Sequence, residues 1–268
     1  MEYMQAKQYT SNLTQVEYET IKEFLPILRT NKLTYSWHEL LNGIFYVEKN
    51  GCTWRDIPAD LPPWQTCYYH YKKFRLNSFW EQVKIKLNKL VRIVIEDKQA
   101  YPSCMLLDTQ SVKNTDTGCT SGIDGNKKVK GIKKSLLNDT LGLNWGRRVL
   151  PANTGDRECG YVTIEQAKAY LTMCESIKVD EGYKGEDFGI KVLDKYNITI
   201  DVVEKLPDQI GFQVLPMRWV TERSNAWMDK CRRMWKNCER LVKSAEAMID
   251  ICFLRIALRR LAKSRGES

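Results

Sequence analysis

The stretch CMLLDTQSV, residues 104–112, decides how the chain is read. It is short and apolar at its start, and it carries Asp108 as it turns polar, the pattern of a buried strand leaving the core. Just ahead of it, DKQAYPS (97–103) is polar and contains Pro102. Everything before that break reads as helix. Residues 13–28 open on Thr14 with Glu17 three places later, a capping box, and run apolar at helical spacing through Val16, Ile21, Phe24, Leu25 and Leu28. Residues 35–49 predict a second helix ended by Asn50-Gly51, and three prolines make 52–66 a loop. Two more helices follow over 65–76 and 78–96, the latter apolar at Phe79, Val83, Leu87, Leu90 and Val94.

Beyond residue 104 the pattern alternates. KKSLLNDTLGL (133–143) and WGRRVLPANT (145–154) predict a hairpin around Leu141-Gly142. A helix is expected over 161–175, a strand running into a turn over SIKVDEGYKG (176–185), a helix over 185–196 and a strand over ITIDVVEK (198–205). GFQVLPMRWV (211–220) reads as one more apolar strand, and the chain from Glu222 onward as mostly helical, beginning near Thr221. The expectation is an α/β protein: a mixed sheet flanked by helices over 99–268, preceded by a small all-α domain over 1–98.

Lys and Arg number 42 against 33 Asp and Glu, a net charge of +9 that suits a polyanionic partner. The nine cysteines form no CxxC pair, and only His38 and His70 are there to complete a mixed site, which argues against structural zinc. Their scatter through apolar runs suggests reduced thiols in an intracellular protein. No leader-like start and no run of 18 apolar residues is seen, so a cytoplasmic chain without membrane partners is expected.

Two aspartates stand just past strands: Asp108, and Asp180 beside Gly182 and Gly185. A carboxylate there is fixed by the strand yet faces solvent, which suits a hard divalent cation. Two such ions about 4 Å apart serve phosphodiester chemistry, and a third acid from a packed helix is needed to hold them. Glu222 fits, ringed by Arg218, Arg223, Lys230, Arg232 and Arg233. The plainer reading stays open: both aspartates could cap turns, and Glu181, Asp187, Glu239 and Glu246 compete with Glu222.

The motifs DTQSVKNTDTG, GNKKVKGIKKSLLNDTLGL, VDEGYKG and the long FQVLPMRWVTERSNAWMDKCRRMWKNCERL resemble the catalytic domain of bacterial insertion-sequence DDE transposases. LTQVEYETIKEFLP, GCTWRDIPADLPPWQTCYYHYKKF and FWEQV are similar to the helical N-terminal region of one compact branch of that family. The resemblance implies an RNase H-like core with Asp108 on its first strand, Asp180 after its fourth and Glu222 on a following helix. It implies catalysis by these three acids with Mg²⁺, Mn²⁺ able to substitute, on double-stranded DNA at transposon ends and targets, by a homodimer or higher oligomer. The intervals are 72 residues from Asp108 to Asp180 and 42 from Asp180 to Glu222, too short for an inserted domain. Arg218 matches the family's Arg-x3-Glu signature, whereas Leu215 stands where a Tyr is expected and Asp229 where a Lys is, with Lys230 one place further on.

DNA contacts are expected from Lys72, Lys73 and Arg75 in YYHYKKFR (68–75), and from Lys127, Lys128, Lys130, Lys133 and Lys134 in NKKVKGIKK (126–134). Trp227 would stack on a base or pack in the core, and the tail from Arg255 to Arg265 would extend the basic footprint. Two other functions remain open at this point: a nuclease or resolvase of the same fold without strand transfer, and a silent DNA-binding derivative.

Overall fold

The computed structural model describes residues 8–27, 34–115, 120–203 and 218–266, and for Glu186 and Arg218 the backbone only. Helix α1 (Gln15–Lys22) starts as the capping box requires: the Glu17 N–H donates to Thr14 Oγ1 at 3.1 Å, and the Thr14 N–H to Glu17 Oε2 at 3.0 Å. Ser36 and Glu39 repeat the device at α2 (Trp37–Asn50), which ends at Gly51 with φ of 73°, a left-handed turn that favours glycine. Helix α3 (Trp64–Leu76) and α4 (Phe79–Leu90) follow, and α4 runs on as a π-helical turn over Val91–Ile95.

The strands are β1 (Cys104–Lys113), β2 (Gly122–Asp124), β3 (Val129–Asp139), β4 (Asn144–Pro151), β5 (Ser176–Val179) and β6 (Thr199–Val202). β3 pairs antiparallel with β1, β2 and β4, whereas β5 runs parallel to both β1 and β6. The resulting order, β4 and β2 beside β3, then β1, β5 and β6, makes a mixed sheet compatible with an RNase H-like fold. The short β2 makes β5 the fifth strand along the chain.

The two faces of the sheet bury different helices. Met105, Leu107, Leu137, Ile177 and Val179 pack against α5 (Asp156–Ala167) and α6 (Glu186–Tyr196). Val112, Ile132, Leu136 and Val149 face the other way, into one apolar cluster shared by α1 to α4 and α8 (Val242–Ser264). Helix α8 is buried almost all round, as expected of a helix enclosed by its neighbours. It is preceded by α7 (Arg218–Asp229), so residues 218–220, expected as strand, form a helical turn; 211–217 lie outside the described residues. Helix α5 begins at Asp156, five residues earlier than its apolar spacing suggested.

Polar side chains bridge these layers. Lys84 of α4, fully buried, donates to Asp250 Oδ1 of α8 and to Asn144 Oδ1 of β4, each at 2.8 Å. Arg147 of β4 meets the other Asp250 oxygen at 2.6 Å and Glu81 of α4 at 3.2 Å. Removing one partner strands the opposite charges out of water. Asp250→Ala is therefore expected to lower stability by about 3–5 kcal/mol, seen as a lower urea midpoint at an unchanged slope. A loss below about 1 kcal/mol would contradict this reading of the clamp.

Candidate active site

The parallel register of β1 and β5 assembles the first two acids. Leu106 pairs with Lys178, and extending that register by two residues brings Asp180 level with Asp108 at the strand ends. Side chains two apart share a face, and Asp108 belongs to the face turned toward α7 and α8, since its partner across β3 is Leu136. From α7, Asn225 Nδ2 donates to Asp108 Oδ2 at 3.1 Å. Glu222 lies three residues before Asn225, on the same side of the helix, and is exposed.

Burial pushes the Asp108 carboxyl above the usual carboxylate range. The Asn225 hydrogen bond and the Thr109 N–H work against that shift, the negative charge of Asp180 adds to it, and Lys127 offsets it slightly. Asp180 is exposed and accepts the Gly182 N–H at 3.0 Å, so it also caps the turn that follows β5. The oxygens of Asp108, Asp180 and Glu222 are not all within 4.8 Å of one another. Among the described residues that spacing occurs for Glu48, Cys231 and Cys252, a buried group in which Glu48 is paired with Arg255 at 2.6 Å.

The basic residues divide sharply. Lys127, Lys128 and Lys130 are exposed around the β2–β3 turn, and Lys127 Nζ reaches the Thr109 carbonyl at 3.3 Å, beside Asp108. Lys72, Lys73, Lys230 and Arg232 are exposed as well. Lys133 and Lys134 are not: both sit inside, a correction to the expected DNA contact. Central strand positions on β3 point into packed layers on either side, and each lysine ends on an internal acceptor. Lys133 Nζ bonds Asp156 Oδ1 at 2.8 Å, and Lys134 Nζ bonds the Met234 carbonyl at 2.6 Å. Burial pulls Lys134 down to about 8. Arg233 is likewise buried against Glu239 and the Cys52 carbonyl, and Arg255 against Glu48, so neither forms the expected basic surface. Arg75 is half-buried and bonds Ser244. The Arg218 side chain lies outside the described residues.

On α7, the Arg223 guanidinium lies over the Trp219 ring at 4.3 Å and the Trp227 ring at 4.7 Å, and Trp227 is half-buried. A guanidinium over two indole faces is a favourable cation–π arrangement that ties Arg223 to both tryptophans.

Asp156 escaped the sequence reading, because the helix it opens was expected to start at 161. It accepts from Thr109 Oγ1 at 2.9 Å and from Lys133, immediately beside the aspartate pair. The TGD triplet after a strand, a turn and then an acid at a helix start, was the available signal.

Fold and site together define a mixed α/β protein with an acidic centre at the ends of neighbouring parallel strands. Residues 13–84, which span α1 to α3 and half of α4, match a family model described as "Putative transposase of IS4/5 family (DUF4096)". The chain is thus similar to insertion-sequence transposases through its N-terminal helices. None of the curated proteins matches the chain.

A desolvated carboxylate held without a cation costs stability. Asp108→Asn keeps the shape and removes the charge, so in metal-free buffer it is expected to melt about 2–4 °C above wild type, the scale of a 1 kcal/mol gain. A lower melting temperature would mark Asp108 as a structural cap.

Proposed function

We propose that this chain is an insertion-sequence DNA transposase that binds terminal inverted repeats, cleaves phosphodiester bonds at the element's ends and joins the 3′-hydroxyl to target DNA. The observation that carries this is the meeting of Asp108, Asp180 and the Asn225 face of α7 at one end of the sheet. The N-terminal family match supports the same reading. Residues 1–98 would contribute the helices that read the repeat, and residues 99–268 the catalytic unit.

Asp108, Asp180 and Glu222 would hold divalent metal, Mg²⁺ or in its place Mn²⁺. The donors fit: the carboxylates are hard oxygen ligands, and burial together with the Asp180 charge raises the cost of ionised Asp108, which a cation would relieve. When bound, a pair of such ions activates an attacking oxygen and stabilises the leaving one. The protein's own share is positioning. The strands fix the two aspartates, Glu222 of α7 would close over them when metal binds, and Arg218 at the head of α7 would meet a phosphate. Arg223, Lys230 and Arg232 extend a basic border from α7, with Trp227 beside them. Lys127, Lys128 and Lys130 border the site on the β2–β3 side, and Lys72, Lys73 and Arg75 serve the N-terminal contact. Two DNA ends must be held at once, which calls for a dimer or higher oligomer acting in the cytoplasm at the nucleoid. Among the described residues no helix is long and apolar enough to cross a membrane.

Incubation of the protein with end DNA, Mg²⁺ and a target plasmid should yield joined product. The product should vanish with chelator, return with Mn²⁺, and be undetectable for Asp108→Ala and Asp180→Ala. End cleavage by Asp108→Ala at the wild-type rate would remove the metal assignment; cleavage without joining would identify a nuclease of this fold.

A further inference from the structure

The acidic centre has a neighbour that the three-acid reading does not use. Gly182 sits in the turn after β5 with two carboxylates close over its Cα. A Cβ there would lie 3.1 Å from Asp180 Oδ1 and 3.2 Å from Asp156 Oδ2. The two carboxylate oxygens are therefore no more than 6.3 Å apart, the sum of those distances, with only a glycine between them.

Asp156 is held by one oxygen. Its Oδ1 accepts from Thr109, next to Asp108 on β1, and from Lys133 of β3. A purely structural role as the counter-ion of buried Lys133 would be met by that oxygen alone, and Lys133 has further acceptors in the Thr154 carbonyl at 2.9 Å and Asp124 at 3.9 Å. Oδ2 lies instead on the Gly182 side, no more than 6.3 Å from Asp180 Oδ1. Like charges placed this close repel unless a cation comes between them.

Tyr183 supplies an independent sign. Its ring is wedged beneath α5 where Gly160 leaves room, since a Cβ at 160 would meet Tyr183 Cε1 at 2.8 Å. The side chain is 1% exposed and its hydroxyl has no hydrogen-bond partner. The acids whose charges bear on that hydroxyl most are Asp108, then Asp156, then Asp180. A buried hydroxyl left unpaired costs about 1–3 kcal/mol. Carboxylates drawn together around a cation would bring it an acceptor.

We propose that Asp156 is a fourth carboxylate of the centre, beside Asp108, Asp180 and Glu222, its Oδ2 lying near Asp180 across Gly182 to bind divalent metal. This rests on the metal-centre reading given under the proposed function. Lys133 and Thr109 are positioning residues that hold Asp156 by its other oxygen, and Gly182 keeps the space between the acids open.

The test is Mn²⁺ binding to the full chain, titrated with MnCl₂ alone and followed by the loss of the free-ion electron paramagnetic resonance signal. Asp156→Asn keeps an oxygen for Thr109 and Lys133 and is expected to bind Mn²⁺ at least 10-fold more weakly, with the metal-free melting temperature within a few degrees of wild type. Asp108→Asn is run beside it. Weakened binding in both variants supports the fourth ligand. Unchanged binding in Asp156→Asn with weakened binding in Asp108→Asn overturns this inference and leaves the metal-centre reading standing. Binding that ignores Asp108→Asn, or is absent from wild type, overturns both. Should Asp156→Asn melt far lower, the same titration on Asp156→Asn combined with Lys133→Met, which removes the stranded lysine, decides in the same way.

Discussion

Asp250 lies in the middle of α8, beyond the reach of water, and two cations from separate parts of the chain close on it. Lys84 arrives from the N-terminal helices and Arg147 from the edge strand β4. Neither can leave without stranding a charge in a medium that solvates it poorly, so α4, α8 and β4 are locked in one arrangement. The apolar cluster around them is forgiving in shape, whereas this triad is specific in register. Arg255 repeats the device one and a half turns on, tying α8 to Glu48 of α2. Through α8 the lock also bears on the site, because α7 packs against α8 and carries both Asn225, bonded to Asp108, and Glu222. The Arg223 guanidinium, donating to the Leu141 carbonyl at 3.2 Å, seats α7 against the β3–β4 turn.

The same economy explains the chain's electrostatics. Much of the basic excess does not face solvent: Lys84, Lys133, Lys134, Arg147, Arg233 and Arg255 are all buried and spend their hydrogen bonds inside. The exposed basic groups include Lys127, Lys128 and Lys130 on the β2–β3 turn and Lys230 and Arg232 just after α7, with others on α1, α3 and α6. Acids crowd the opposite role. Asp108, Asp156 and Asp180 lie near one another at the strand ends, and Asp108 carries the burden of burial.

Several elements could be read directly from the residues. The capping box at Thr14, the Gly51 stop and the apolar run at 104–107 each follow from local chemistry and appear as expected. So does the hairpin about Gly142, whose φ of 78° only glycine adopts readily. The misreadings share a cause. An acid or lysine looks solvated until the sheet that buries it is assembled, so Lys133 and Lys134 passed for surface groups. Asp156 was invisible because the first turn of α5 is polar, and helical spacing marks a helix only where it meets the core. Trp219 and Val220 are apolar enough for a strand, yet with Arg218 they form the first turn of α7. The pairing of Asp108 with Asp180 depends on a parallel register between segments some 70 residues apart, and no local pattern encodes that.

The central claim is that metal binds where β1 and β5 end. Anomalous diffraction from crystals grown with Mn²⁺ would examine it directly. Anomalous density in contact with Asp108 and Asp180, with Glu222 of α7 turned toward it, is the result this account requires. Manganese found only elsewhere, for instance among Glu48, Cys231 and Cys252, with the two aspartates bare, would contradict it.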